Sequence, residues 1–560
     1  MAVMAALPGP VADNRGVAAS IYFDRWGMNT SVDDLDSLQA HELECEVVRD
    51  FAALEPLSDQ WQRLWHTDPF AEIFQSFAWN RAWWRAYGQG LQLHCIVVWR
   101  GDVAVGFLPL VRENQTLRFL GAPQADYGDI LAENDSAVPI LAAALGALFT
   151  SGDSKECILE HLSSRSRLVQ NLESVSPRLR GNLRLVADGQ APTILIDGHP
   201  GVLASLAAKK HLRRHETKLA KTGDVTFRFL ETRKEIRRHL PSFYQHQIRR
   251  RILHGQQSSC LQPGFSSFLA ALVEELDPAE QLRFGILEWA GRPLAYHIGF
   301  MAKEKFTMYQ QAFDVDAWDC SPGEVLLRRL FLYADQNVSR EFDFSVGEEP
   351  YKARFANHFK PNFTLYAVPP SFRGRLRRSY RAVDGRVGEL QRNLRVAVRS
   401  SPRAFQLAKQ ARRWTGEMRA RMWSRLSWVT ARPADLPVHR SAVLSRGRPH
   451  DSFGQDSDVE LTKAKLSDLA DLYRENPTFH LSSRLAEYRA RLRQGDAVYI
   501  LRMRGVPVLI AWTAAEVNEN TPREPYDCTF LRGRRKAAYR ALISLLAAQN
   551  KPSPQESISA

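Results

Sequence analysis

Hydrophobic and polar positions along this chain repeat one unit three times: a β-rich run, a two-residue turn containing glycine, and a second β-rich run. The first copy is His94–Trp99, the turn Arg100-Gly101, then Val103–Leu110. The second is Phe284–Trp289, Ala290-Gly291 and Leu294–Met301; the third is Ala497–Met503, Arg504-Gly505 and Val508–Thr513. Glycine there supplies the positive φ of a tight hairpin between β-branched and aromatic runs. Each hairpin follows a helix-patterned region, and the latter two precede a further strand and helix. The pattern therefore predicts a repeated α/β domain.

Around the second hairpin the order is clearest. A basic helix is predicted over Leu203–Thr222 (Lys209, Lys210, Arg213, Arg214, Lys218, Lys221), ended by Gly223, then a strand Val225–Leu230 and a helix Phe265–Leu276. After the hairpin come a strand Phe306–Phe313, a loop Asp314–Pro322 and a helix from Gly323 to about residue 336. A strand–loop–helix junction is where an open α/β sheet presents free backbone N–H groups to an anion. Ser321 falls at N-cap and Pro322 at N1, while Gly323 permits close approach to the backbone. The same three residues suit an ordinary capped helix equally well. Upstream, Cys45–Val48 opens the first folded region, and Trp79, Trp83 and Tyr87 share one helical face, an aromatic core stripe. Near the C-terminus, Val459–Leu461 reads as a strand and Leu466, Leu469 and Leu472 as a helix face.

Composition changes the picture mainly through charge. The 560 residues predict three or four domains, and 44% hydrophobic with 24% charged residues excludes wholesale disorder, collagen and coiled coil. The net charge of +13 is local: residues 371–450 hold 20 Lys and Arg against 4 Asp and Glu, a balance of +16, so the remainder carries −3. In that stretch Trp414, Met418 and Met422 form an apolar stripe among arginines, as in a helical linker or a helix lying on an anionic membrane face. A nucleic-acid surface is the lesser reading. Met1–Leu7 has no Lys or Arg and is broken by Pro8, unlike a signal peptide. The longest uncharged run, Ser136–Gly152, falls short of the ~20 residues a spanning helix needs. Six isolated cysteines (45, 95, 157, 260, 320, 528) point to reduced thiols in a cytoplasm, without a disulfide scaffold or structural zinc.

Candidate chemistry concentrates in Asp343–Lys352, read as a strand end, a turn and a short helix start. A carboxylate there can serve as base, and Tyr351 or Lys352 as proton donor. Glu348 and Lys352 are the first candidates, with Tyr351 and Asp343 beside them; Asp343 capping the next segment and a solvated Lys352 are the plain alternatives. Asp314-Val315-Asp316 has the Asp-x-Asp form of metal-dependent glycosyltransferases, but three-residue motifs arise often by chance. His-Glu-x-x-His, Gly-x-Ser-x-Gly, Walker and Gly-x-Gly-x-x-Gly motifs are absent from the sequence.

A set of residues in order carries a family resemblance. It comprises Phe74-Gln75-Ser76 with Trp79 and Trp83-Trp84, Leu120-Gly121, Asp126-Tyr127-Gly128-Asp129 and the basic Lys209–Arg214. It continues with Phe243 and His246, Ser321-Pro322-Gly323, Asp343-Phe344, Gly347-Glu348, Tyr351-Lys352 and Phe355. The order resembles the GNAT acyltransferase fold, and its details resemble CelD/BcsL-type acetyltransferases of bacterial cellulose and exopolysaccharide synthesis. These are related to Fem-type aminoacyl transferases, which pair two GNAT-like halves.

The resemblance implies an α/β (α+β) protein of tandem GNAT-like domains with a mixed, mainly antiparallel sheet. The expected division is a lead-in (1–40), two halves (41–195 and 196–370), an Arg-rich helical linker (371–454) and a partial third GNAT-like domain (455–552). It implies acetyl-CoA or another acyl-CoA as substrate, its phosphate at Ser321-Pro322-Gly323, His246 as a further catalytic candidate, and no metal. Arg532-Gly533 and Ala537 are similar to the GNAT pyrophosphate loop, although Arg535 stands where that pattern has glycine, and the expected helix Lys536–Gln549 is not followed by the further strands that usually complete the fold; the last domain is therefore expected to be truncated and not catalytic by itself. The expected partner is an envelope-polysaccharide precursor, with a synthase complex or the inner membrane face met through 371–450 and a cytoplasmic location. The alternatives are a Fem-like transferase using aminoacyl-tRNA and a non-catalytic accessory module of a polysaccharide synthase.

Overall fold

The structure, a computed structural model, describes residues 43–150, 154–175, 179, 182–347, 349–368, 459–475, 481–503, 505–513, 526–530 and 542. The lead-in, the basic segment, Glu348 and Arg532-Gly533 lie outside the described residues.

The first region runs β1 (Leu43–Val48), α1 (Ser58–Thr67), α2 (Phe77–Tyr87), β2 (Gln92–Leu93), β3 (Cys95–Arg100), β4 (Val103–Leu108), β5 (Leu110–Glu113), β6 (Thr116–Phe119), β7 (Leu131–Ala132), α3 (Ala137–Thr150), β8 (Glu156–Ser163), α4 (Arg167–Asn171) and β9 (Leu183–Leu195). The second runs α5 (Val202–Ala207), α6 (Lys210–Ala220), β10 (Val225–Phe229), α7 (Arg233–Leu253), α8 (Phe265–Glu275), β11 (Leu282–Trp289), β12 (Arg292–Ala302), β13 (Lys305–Phe313), α9 (Pro322–Asn337), β14 (Glu341–Asp343), α10 (Pro350–Ala353) and β15 (His358–Ala367). The C-terminal region holds β16 (Val459–Ala464), α11 (Leu466–Glu475), α12 (Leu481–Arg493), β17 (Ala497–Met503), β18 (Val506–Thr513) and β19 (Tyr526–Phe530).

These strands form mixed, mainly antiparallel sheets. Four strands order as β1-β3-β4-β7, eleven as β10-β11-β12-β13-β14-β9-β15-β8-β6-β5-β2, and four as β16-β17-β18-β19. Among the described strands the parallel pairs are β13 with β14 and β6 with β8. The long sheet joins the first two regions, because β15 lies between β8 and β9 while β9 also pairs with β14.

All three hairpins form as the alternation predicts. Their turn glycines sit at φ 57, 71 and 71 (Gly101, Gly291, Gly505), the left-handed conformation that glycine adopts without a Cβ penalty. Each hairpin also shifts register shortly before its turn, at Val98/Trp99, Leu287/Glu288 and Leu501/Arg502. Two expectations change in detail. The run Val103–Leu110 divides at Pro109, which has no N–H for a ladder, so β4 and β5 enter different sheets. The helix expected over Leu203–Thr222 breaks at Ala208-Lys209. Leu206 and Leu212 are six positions apart, about 240° out of phase on a continuous helix. The break lets Leu203, Leu206, Leu212 and Leu219 join one core.

The aromatic stripe does more than fill one region. Trp79 is fully buried, with Phe268, Phe300 and Tyr309 of the second region at ring distances of 5.1, 5.6 and 5.6 Å. Burial of such rings in edge-on contacts makes the seam between the two regions part of the core. The C-terminal region packs on α7, with Ile248, Ile252 and Leu253 sharing a cluster with Leu469, Tyr488 and Trp512.

Candidate functional site

Beneath this seam lies a buried charge cluster. Lys305, Lys360, Glu341 and Asp343 are each 3% exposed or less. The Lys305 Nζ lies 2.6 Å from Asp343 and 2.8 Å from Glu72, and Lys360 Nζ 2.9 Å from Asp343 and 3.2 Å from Glu341. Arg165 closes the set on Glu341 at 2.7 Å. Three cations thus meet three carboxylates contributed by both regions, which is the condition for charges to stay ionised without water. Tyr127 donates to both oxygens of Asp343, at 3.1 and 3.0 Å, while Lys360 and Lys305 lie over its ring. Despite burial, the two lysines hold the Asp343 carboxyl far below its ordinary range.

Asp343 also accepts the Ser345 N–H at 2.7 Å, and so anchors the turn that follows β14. Ser345 has φ 62 and Gly347 φ 117. A Cβ on Gly347 would lie 2.5 Å from Glu349 Oε2 and 3.1 Å from Lys352 Nζ, so the turn closes over that pair only because residue 347 is glycine. Lys352 is buried rather than solvated: its Nζ donates to Val346 O at 2.7 Å and pairs with Glu349 at 3.0 Å. Tyr351 donates to Gln311 Oε1 at 3.4 Å, and burial raises its phenol so that it keeps its proton.

Against this turn stands a loop of the first region. Ser345 Oγ donates to Asp126 at 2.5 Å. Asp126 keeps part of its surface exposed, yet desolvation pushes its carboxyl up to about 6. Ser345, His161 and Lys352 pull in the opposite direction, and the Asp343 charge adds to the rise. A carboxyl raised in this direction is suited to take a proton. Beside it, Tyr309 is the extra residue of a β-bulge: Ile298 pairs with Gln310 and Gly299 with Met308, leaving Tyr309 without an opposite number. Its hydroxyl donates to Gln124 O at 3.0 Å, and burial with the nearby Asp126 charge lifts it well above 10.

Beyond Thr307 the two parallel strands part. The β13–β14 pairing covers Lys305–Thr307 with Glu341–Asp343, whereas β13 continues to Phe313. From Tyr309 onward that edge has no strand partner among the described residues, so an extended chain bearing amides can add to it. The strand leads to α9. Ser321 does occupy its N-cap and Pro322 its N1 position, but Ser321 has φ 53, ψ 56 and its side chain makes no capping bond. The Glu324 N–H turns back to Ser321 O, leaving the Gly323 N–H without a partner among the described residues. An unpaired N–H at a helix start favours an anion nearby.

The structure therefore brings Asp343, Tyr351 and Lys352 together with Asp126 and Tyr309, and sets Ser321, Pro322 and Gly323 at the far end of the same strand. His246 is placed elsewhere, against the Tyr296 ring at 5.7 Å, where burial first and Arg249 after it lower its basicity while Asp314 and Asp316 oppose them. Its Nδ1 is buried without a hydrogen-bond partner among the described residues. Asp126 was readable only as part of an acidic pair around Tyr127-Gly128. Tyr309 had a fainter signal: Tyr309-Gln310-Gln311 interrupts the apolar alternation of its strand. Among the described residues no three His, Cys, Asp or Glu side chains are placed to hold a metal ion. No described helix is long and apolar enough to cross a membrane.

Residues 207–353 match the family described as Acetyltransferase (GNAT) domain. None of the curated proteins compared matches the sequence. Among solved structures, the crystal structure named FemX is 10% identical over 58% of this chain and 97% of its own, with a TM-score of 0.41. A tandem GNAT protein from the clavulanic acid biosynthesis pathway is 13% identical over 59% and 100%, at 0.35. The structure of L-PGS from Bacillus licheniformis is 11% identical over 50% and 85%, at 0.36.

Proposed function

We propose that this chain, an enzyme with a GNAT-type acyltransferase domain, passes an acyl group directly from acyl-CoA to an amine or hydroxyl at the seam between its first two regions. The observation that carries this reading is the Asp126 carboxyl, pushed up to about 6 in a half-buried residue, beside a bulge in a strand whose edge has no strand partner beyond Thr307 among the described residues and leads to the N-terminus of α9. In this reading the pantetheine arm of CoA adds to the β13 edge and its phosphates lie toward Gly323. Asp126 takes the proton of the acceptor as that atom bonds to the thioester carbonyl. The C–S bond then breaks, and the Tyr351 hydroxyl, held by Gln311, protonates the departing sulfur. Asp343, Lys305 and Lys360 are positioning residues for the 345–352 turn, and Lys352 with Glu349 holds its shape.

The acceptor we propose is an envelope-polysaccharide precursor, on the resemblance to CelD/BcsL-type proteins. Calorimetry tests the donor: acetyl-CoA binds the full chain with a Kd in the micromolar range, and thiol release follows on adding acceptor. No acetyl-CoA binding, with transfer from aminoacyl-tRNA instead, overturns the reading. The basic 371–450 stretch is the proposed contact with an anionic membrane face, at ~1 kcal/mol per arginine near the surface. The full chain is then expected to float with vesicles containing phosphatidylserine at low salt, and a chain lacking 371–450 to stay at the bottom of the gradient. Equal flotation of both rejects that role.

A further inference from the structure

The C-terminal region is seated on the loop that leads into α9. The Asp316 carboxylate accepts the Ser467 N–H at 3.0 Å and its Oγ–H at 2.7 Å, and Arg249 of α7 pairs with Asp471 of α11 at 2.6 Å. Val315 of the loop is buried in the same apolar cluster as Leu466, Tyr488 and Trp512. Four guanidinium groups gather along this seam. Arg489 and Arg493 of α12 lie over the ring of Trp318, at 5.3 and 4.6 Å. Arg250, near the end of α7, lies 5.3 Å over Phe313 and donates to Gln311 O at 2.9 Å; Arg251 follows it and donates to Gln256. Arg250, Arg489 and Arg251 all act electrostatically on His254.

Among the described residues several arginines are paired with carboxylates, while Arg233, Arg283 and Arg340 donate to neutral oxygens. Arg81 and Arg85 share Glu275, Arg328 and Arg329 share Glu216, and Arg249 takes Asp471. Among the described residues, none of Arg250, Arg251, Arg489 and Arg493 forms an ion pair with a carboxylate, although the Glu349 carboxylate acts on Arg250 and Arg251 from a distance, and the Nε atoms of Arg251 and Arg489 are buried without a hydrogen-bond partner. Like charges brought together in a partly dry seam repel, and buried unpaired donors are costly, unless an anion joins them. The fork of a guanidinium matches a phosphate, and its plane stacks on aromatic rings and nucleobases.

We propose that the C-terminal region completes the site for the phosphorylated nucleotide end of the acyl donor. Arg489 and Arg493 reach across the seam toward a phosphate that Arg250 and Arg251 meet from α7, next to the loop leading to Gly323. The inference rests on the acyl-CoA reading above and gives the partial third region a part in that site rather than a site of its own.

The test is calorimetry on the full chain with adenosine 3′,5′-bisphosphate, acetyl-CoA and S-acetylpantetheine, which lacks phosphate. In R489Q/R493Q the bisphosphate and acetyl-CoA are expected to bind roughly tenfold more weakly or worse, with a shallower salt dependence, while S-acetylpantetheine binds as to the wild type. R489K/R493K recovers part of the loss. Unchanged bisphosphate affinity in R489Q/R493Q overturns the proposal. If thermal melting shows that the double variant is unfolded, R493Q, which alters an exposed side chain, decides in the same way. Wild-type chain that binds the bisphosphate through these arginines but not acetyl-CoA sinks the acyl-CoA reading and leaves the anion site standing.

Discussion

Asp126→Asn is expected to lower the kcat of the proposed acyl transfer by about 10²–10⁴-fold while acetyl-CoA binds as before, because the proposed general base is removed and the donor contacts are kept. The substitution is nearly isosteric, and the amide oxygen still accepts from Ser345, so the melting temperature changes little. The same residue sets the pH profile. The base must be unprotonated to work, so wild-type kcat/KM is full above about pH 7 and is lost as pH falls through about 6. Ser345→Ala removes a hydrogen bond that favours the carboxylate, which moves the inflection upward. The residual rate of Asp126→Asn shows no inflection there. Steady-state rates from pH 5 to 9 check all three statements. A variant with undiminished kcat would shift the base elsewhere, with Glu348 next to be substituted.

Lys305→Met destabilises the protein by roughly 3–5 kcal/mol, because it strips a cation from the buried Asp343 and Glu341 carboxylates and the half-buried Glu72, and leaves an unpaired charge in the core. Lys305 contacts Asp343, Glu72 and Glu341, and neither Lys360 nor Arg165 replaces it on Glu72 at the same 2.8 Å. Adding Asp343→Asn to Lys305→Met restores part of the loss, since the cluster returns to charge balance, and the two effects are non-additive. Urea unfolding measures both; a single-variant change below about 1 kcal/mol would mean that the cluster is hydrated.

The cluster also fixes the acid limit of the fold. The folded Glu341 carboxyl is depressed to about 2, below its unfolded value of about 4.3. Its contribution is present above the unfolded value and disappears as pH falls from there through about 2. Wild-type chain is therefore expected to lose stability steeply between pH 4 and 2, and Lys305→Met at higher pH.

What could be read in the sequence was local. A glycine in a turn and alternation with period 2 act over a few residues, so the three hairpins and the strand–loop–helix order around Ser321-Pro322-Gly323 were visible without a structure. The run Asp343–Lys352 was visible too, as a turn dense in polar groups. The break at Ala208-Lys209 was not: no Pro or Gly marks it, and the demand that moves Leu212 into register comes from the core.

By itself, then, the sequence determined the repeated α/β pattern, the run of candidate groups before β15 and the confinement of the charge to 371–450. Only the tertiary structure decided what surrounds each of those groups. Lys305 meets Glu72 across 233 positions of sequence, and Asp126 meets Ser345 across 219. Those encounters hold the Asp343 carboxyl far below its ordinary range and push the Asp126 carboxyl up to about 6. Charge burial and desolvation depend on what surrounds an atom in space, and neighbours that far apart along the chain leave no periodic trace.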